Sequence, residues 1–483
     1  MPELPSVRGV ARQAEAGARQ AVGRMGRAGR VGGVGRGGGT RPPRPPRVGL
    51  LARLRDRIAH REFLRLRGRF RGRRGIVAFL AVMGPGLIAG IAGNDAGGIT
   101  TYSVLGARTG LTLLWIFPIT IVILAVVQEM VARLGVVTGQ GLSDLIRDRF
   151  GVRWTAFAML VLLVANVANT VAEFAGASLA MGVFNVPQIV VVPVVAVAIW
   201  ALVLFASYRS IERIFLSISL VFVTYIASAV IVHPDWSEVG RALVTPRLDL
   251  SADVLLLVVA VVGTTITPYM QFYLQSAVAE KGIDEEELRL EQADAVGGAI
   301  WTNVIALFIV VATAATIFGR GEITTAADAA RALEPVAGRF AEVLFAIGLF
   351  GASVLAATIM PISTAFVICE AFGWESGVDK RFSDARAFFG IYTFVLFLGA
   401  LIVLLPGLGL TGVIVGSQNL QGLLLPVVLV FLVLLVNDRS LMGRHANGRI
   451  ANVLAWAAVG VVVVLDVVLL AVTLLGAVGV KVG

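Results

Sequence analysis

The chain has 483 residues, of which 57% are hydrophobic and only 15% charged. Its apolar residues gather in runs of about 20, the length that crosses a hydrocarbon core as a helix, so a water-soluble globular domain is excluded and a polytopic, all-α membrane protein is expected. The single Cys369 permits no internal disulfide and leaves the redox compartment unread, while the net charge of +10 belongs to one end of the chain.

Residues 1–75 hold twenty arginines against Glu3, Glu15, Asp56 and Glu62, a net +16; the rest of the chain carries 21 basic and 27 acidic side chains. This Arg-, Gly- and Pro-rich segment, with "VGGVGRGGGTRPPRPPRVG", is too polar to bury a core and reads as a disordered cytoplasmic tail on anionic lipid headgroups. Only residues 51–72 space Leu and Phe among arginines as a short interfacial helix would. No apolar core precedes residue 76, so no cleavable secretory signal is expected, and the Pro and Gly content opposes an amphipathic transit peptide. Nucleic acid is not an expected partner, because a charge run alone carries no readout chemistry.

Eleven apolar segments follow, at about 76–104, 111–137, 153–184, 187–207, 212–233, 252–279, 294–318, 336–372, 384–405, 409–436 and 451–478. An odd number of spans puts the termini on opposite sides. Loops after even-numbered spans hold thirteen Lys and Arg against six after odd-numbered ones, which places the N-terminus in the cytoplasm and suggests the plasma membrane. The 54 glycines scattered through the chain suit tight helix packing and local unwinding.

Two spans are interrupted by polar and turn-forming residues: the first by "AGNDAGG" and the sixth by "GTTITPYMQ". A distance of five spans is what a five-plus-five inverted repeat produces, because an odd number per repeat flips the second copy and brings both breaks to the same depth. The expected organisation is a tail (1–75), a first repeat (76–233), a second repeat (252–436), and a cytoplasmic loop with an extra eleventh helix (437–483). A helix opened at mid-membrane frees carbonyls and exposes helix ends of opposite sign, which an ion can use.

Asp95 is the first candidate ligand, since a carboxylate inside a span costs several kcal/mol unless a cation or partner compensates it. The alternative is an Asp paired to an arginine or capping the second half of the broken helix. Neighbouring Asn94 offers an amide oxygen or a cap. In the sixth span Pro268 removes a backbone donor, Thr264, Thr265 and Thr267 offer hydroxyls, and Tyr269 offers a phenol. No Met, Cys or His stands where a soft metal would want one apart from Met270, expected to face elsewhere. An oxygen lining with one carboxylate suits a hard ion: Mg²⁺ or Ca²⁺, with Mn²⁺ also fitting.

In order along residues 76–457, "GPGLIAGIAGNDAGGITTYSVLGARTGLTLLW", "RLGVVTGQGLSDLIRDRFG", "TPYMQFYLQSA", "SQNLQGLLLPVVLVFLVLLVND" and "LMGRHANGRIANVLAW" resemble the natural-resistance-associated macrophage protein (Nramp) family of divalent-metal transporters. The resemblance implies the five-plus-five fold of sodium-coupled amino-acid symporters with helices 1 and 6 unwound. The family's DPGN motif stands here as Asp95, Ala96, Gly97 and Gly98, keeping the Asp and losing the ligating Asn. Its MPH motif stands as Thr267, Pro268 and Tyr269, losing the sulfur ligand and a His. The second His of that helix is Gln275, and the acidic pair of the proton route survives as Glu173 with Thr170.

Those losses remove the soft ligand and the groups that titrate near neutral pH, and resemble the Nramp-related magnesium transporter branch. The expectation is transport of partly hydrated Mg²⁺, with Mn²⁺ also accepted, uncoupled from protons and with no bound cofactor. The expected ligands are Asp95, Thr264, Thr267, Tyr269 and Gln418, with Asn94, Gly98, Pro268 and Gln271 at the helix breaks and Glu173 and Gln275 on an ion or proton route. Gln418 reads equally as a helix-packing contact, and Glu173 as a helix-to-helix bond. Asn166, Asn169 and Glu173 share one helix face, and Glu129 and Arg133 are spaced as an ion pair. Asp466, outside the ten-helix core, reads as structural or interfacial, and His60, His233 and His445 as solvated. Two other transport readings stand: a proton-coupled Mn²⁺/Fe²⁺ transporter, and a sodium-coupled organic-solute symporter, whose carboxylate substrate a fixed Asp95 would repel. No "HExxH", "GxSxG" or clustered His supports an enzyme.

Overall fold

Apolar sequence of this length can satisfy its backbone in a bilayer only by forming helices or a closed barrel, and the chain takes the first course. The structure, a computed structural model, describes residues 93–205, 223–247, 251–281, 285–319, 323, 326–330, 333–334, 338–377 and 382–477; no strand occurs among them. The tail and the N-terminal parts of the first and fifth expected spans lie outside these residues.

The helices are α1 (Ala96–Thr109), α2 (Ile116–Thr138), α3 (Leu142–Phe150), α4 (Val152–Gly182), α5 (Gln188–Phe205), α6 (Val223–Ile231), α7 (Trp236–Val244), α8 (Ala252–Thr265), α9 (Pro268–Lys281) and α10 (Leu288–Thr316). They continue with α11 (Ala326–Ala330), α12 (Ala341–Phe372), α13 (Arg386–Val403), α14 (Leu410–Asn437), α15 (Arg439–Met442) and α16 (Arg449–Ala477). Taking α8 and α9 as one interrupted span, eight are long and apolar enough to cross a membrane among the described residues, and α5 is a shorter apolar helix.

Three features depart from the expected pattern. Helix α10 begins at Leu288 rather than near 294, because its polar first turns find partners: Gln292 donates to Glu129 Oε1 at 2.6 Å. The nine-residue helices α3 and α7 were not expected. Asp235 caps α7, accepting from Ser237 N at 2.9 Å and Glu238 N at 3.3 Å, which satisfies two of its otherwise unpaired first-turn donors.

Helix α4 is the hub, packed against α12, α14 and α13, while α8 crosses α14 and α10 lies on α1 and α2. Lipid tails are as apolar as leucine, so these contacts rest on close fit and hydrogen bonds rather than on hydrophobic burial. Glycines at the crossings provide the fit. A Cβ on Gly176 would stand 2.3 Å from Ala96 Cβ, and one on Gly263 would stand 2.2 Å from the Gln418 carbonyl oxygen and 2.4 Å from Gly422 N. Lipid-facing surfaces are lined by exposed residues such as Val194 and Val197 on α5 and Val464 and Val467 on α16.

Polar clamps tie the loops to this frame. Arg133 bonds Glu129 at 3.0 and 3.1 Å, as the spacing predicts, and also holds Asn447 Oδ1 at 2.6 Å and the His445 carbonyl. His445 is not simply solvated: its ring meets Glu285, which Arg444 also pairs at 2.6 Å. His60 lies outside the described residues. Asp466 is buried in α16, and both its carboxylate oxygens lack a protein partner.

Candidate metal-binding site

The start of α1 meets the break between α8 and α9. Asp95 is the N-cap of α1: its Oδ1 accepts from Gly98 N at 2.8 Å and its carbonyl from Ile99 N at 3.0 Å. The capping alternative is therefore correct for one carboxylate oxygen, while the arginine pairing is not seen among the described residues. A second carboxylate attends the same helix start, where Ala96 N donates to Glu173 Oε2 at 3.3 Å. Two carboxyl groups thus sit at the positive end of a 14-residue helix, and among the described residues no lysine or arginine pairs with either.

On the facing side α8 ends at Thr265, Ile266 leaves the helical region with φ −123° and ψ 62°, and Pro268 opens α9 at the position where its missing N–H costs nothing. Pro268 also leaves the Thr264 carbonyl without its i+4 donor. The C-terminal, negative end of α8 thus lies opposite the capped start of α1. Their proximity is fixed at Gly98, where an added Cβ would meet the Gly93 carbonyl at 2.7 Å and Thr264 Oγ1 at 3.4 Å. Tyr102 Oη and Thr265 Oγ1, 2.9 Å apart, tie the two helices one turn further on.

The other expected residues distribute around this junction. Thr264 and Thr267 are buried and their hydroxyl oxygens have no protein partner; the same holds for the side-chain oxygens of Asn94, Gln271 and Gln418. Gln271 donates to the Thr267 carbonyl at 3.4 Å. Gln418 lies over Gly97, where a Cβ would approach its Nε2 to 2.2 Å, and donates to Asn169 Oδ1 at 2.8 Å. Tyr269 is buried and lies within electrostatic range of Asp95 and Glu173. Gln275 is brought elsewhere: its amide donates to the Gln140 carbonyl at 3.1 Å, at the end of α2.

Two neighbours were absent from the expected ligand set. Asn169 Nδ2 donates to Asp95 Oδ2 at 3.3 Å and to Met360 Sδ at 2.8 Å. Met360 thus places a thioether one hydrogen-bonded side chain away from Asp95, outside the sixth span in which no soft ligand was expected. Asn169 was detectable as the residue one turn before Glu173; Met360, inside apolar α12, looks like any core methionine.

A cavity of about 570 Å³ lies beside the loop after α2, lined by Gln140, Asp144, Tyr273, Ser276, Ile359 and Glu370 among others. Burial, with Asp148 nearby, holds the Asp144 carboxyl above the usual carboxylate range. The cavity reaches Ile359, the chain neighbour of Met360. Asp95 itself is 4% exposed and Glu173 fully buried.

The sequence model of the family described as natural resistance-associated macrophage protein-like matches residues 86–472. The divalent metal cation transporter MntH of Yersinia pestis (strain Pestoides F) is 30% identical over 404 residues, covering 81% of this chain and 95% of that protein. Among solved structures, the Eremococcus coleocola manganese transporter in complex with an aromatic bis-isothiourea substituted compound has TM-score 0.66 at 20% identity, covering 82% of this chain and 87% of that one. MhsT in complex with L-phenylalanine has TM-score 0.51 at 14% identity, covering 81% and 97%. These two likenesses establish the shared fold.

Proposed function

The chain belongs to the natural resistance-associated macrophage protein-like family and is an integral membrane transporter of divalent metal cations; from that premise we propose that its cargo is Mg²⁺ or Mn²⁺, carried partly hydrated and without proton coupling. What supports this reading is one arrangement: a carboxylate where the start of α1 meets the break between α8 and α9, near buried oxygens from Thr264, Thr267 and Gln418 that have no protein partner. Unpaired buried oxygens are costly, and a hydrated hard cation uses several such acceptors at once. Alternating access follows from the two repeats, 76–233 and 252–436, rocking about the junction. The N-terminus lies in the cytoplasm of a plasma-membrane protein, its arginine tail on anionic lipid, and the membrane potential draws the ion inward.

Uptake of Mg²⁺ and Mn²⁺ into proteoliposomes carrying an internal pH dye tests this. Metal entry at constant internal pH is expected; acidification in step with entry refutes the uncoupled mechanism. A proton-coupled reading is favoured by one observation, the survival of Glu173 at the start of α1 beside Asp95, and the same dye decides it.

A further inference from the structure

Two side chains outside the helix breaks converge on Asp95, Asn169 directly and Met360 through it. We infer that Asn169 of α4 and Met360 of α12 complete the ion's coordination with Asp95, the Asn169 amide turning its oxygen inward when the ion binds. This rests on the divalent-cation reading of the same site and adds to it a soft ligand.

The geometry carries the inference. The Asn169 NH₂ group sits between two electron-rich atoms, Asp95 Oδ2 at 3.3 Å and Met360 Sδ at 2.8 Å. Its two positively polarised hydrogens occupy the place a cation would take. Asn169, Met360 and Asp95 are 0%, 1% and 4% exposed, so bulk water does not compete there. Once the amide turns, Oδ1 takes nearly the place of Nδ2, 3.3 Å from Asp95 Oδ2 and 2.8 Å from Met360 Sδ, and three ligand atoms so spaced can share one ion at bond lengths of about 2.1–2.6 Å.

A half-turn of the Asn169 amide exchanges Nδ2 and Oδ1 at nearly constant shape. It replaces a donor that must leave with an oxygen that can bind. The exchange has a receiver: Gln418 Nε2 now donates to Asn169 Oδ1 at 2.8 Å, and the buried Gln418 Oε1 has no partner. Turning Gln418 in concert lets Oε1 accept from the relocated Asn169 NH₂ instead of facing the ion, and gives up the 3.1 Å bond from Gln418 Nε2 to Ser417 Oγ. Pro361, next to Met360, withholds a donor from the Ala357 carbonyl and loosens α12 at this point.

The ligand set then comprises carboxylate, carboxamide and thioether with hydroxyls and water completing it. A thioether discriminates by softness: it contributes to Mn²⁺ and more to Cd²⁺, and little to Mg²⁺. The two residues therefore leave different signatures. Met360→Leu keeps volume and folding, and is expected to weaken Cd²⁺ binding by about tenfold and Mn²⁺ less, with Mg²⁺ nearly unchanged. Asn169→Leu removes an oxygen ligand and is expected to weaken all three ions by about tenfold.

The experiment is calorimetric titration of the full-length purified protein with Cd²⁺, Mn²⁺ and Mg²⁺ separately. Wild type, Met360→Leu, Asn169→Leu and the buried control Met442→Leu are compared, with X-ray absorption of the Cd²⁺-loaded forms. Sulfur among the cadmium neighbours in wild type and Met442→Leu, lost in Met360→Leu, is the expected result. Cadmium bound only through oxygen and nitrogen in wild type, or unchanged Cd²⁺ affinity in Met360→Leu, overturns the inference while leaving the transport reading intact. If wild type binds none of the three ions, both fall.

Discussion

The crossing of α8 and α14 sets the position of the site, and Gly263→Ala tests it. The added Cβ would stand 2.2 Å from the Gln418 carbonyl oxygen, 2.4 Å from Gly422 N and 2.9 Å from Gly422 Cα, whereas ordinary contact begins at 3.4 Å. All three obstacles are backbone, so rotamer changes cannot relieve them. The helices must separate by about 1 Å, at a cost of about 1–3 kcal/mol for overpacking. Because α14 carries Gln418, the same displacement stretches its 2.8 Å bond to Asn169 beyond hydrogen-bonding length and moves Thr264 relative to Asp95. Thermal unfolding of the purified protein is expected to show a lower midpoint, and Mn²⁺ affinity by titration to fall by about tenfold. Gly416→Ala on the same helix is the control: nothing lies within 4 Å of its Cβ position, and replacing a helical glycine raises helix propensity by up to about 1 kcal/mol. An unchanged midpoint and affinity in Gly263→Ala would refute the claim that this backbone contact positions the site.

Arg133→Leu removes the clamp joining α2 to the loop at residues 445–447 and is expected to cost about 2–3 kcal/mol, since partly buried charged hydrogen bonds are lost together; a lower unfolding midpoint with unchanged ion affinity is the result to look for. Thr267→Met restores a thioether at the sixth-span break and is expected to raise Mn²⁺ uptake relative to Mg²⁺, measured by competition in proteoliposomes. Gly176→Ala drives a methyl into Ala96 Cβ at 2.3 Å and Ser353 Oγ at 2.7 Å, and is expected to lower both the unfolding midpoint and uptake by displacing the start of α1.

The spans were legible because a bilayer demands about 20 apolar residues whatever their packing, so α12, α14 and α16 fall within a few residues of their expected ends. Helices α3 and α7 were not, because nine residues with polar faces resemble loop sequence. Asp95, Thr264 and Thr267 were legible as candidates for the converse reason: they are polar residues where oil is expected. What Gln275 faces was not legible, because its place in a motif string fixes its helix but not its partner, which is the loop carbonyl of Gln140. Met360 was invisible, since a thioether in an apolar helix has no sequence mark and gains meaning only from the Asn169 amide against it.

The central claim is that the Asp95 carboxylate holds the cation during passage. Uptake of Mg²⁺ and Mn²⁺ by proteoliposomes containing wild type or Asp95→Ala, alongside ion titration of both proteins in detergent, measures it most directly. Loss of binding and uptake of both ions in a folded Asp95→Ala protein is the predicted result; uptake at the wild-type rate in that variant would contradict the account.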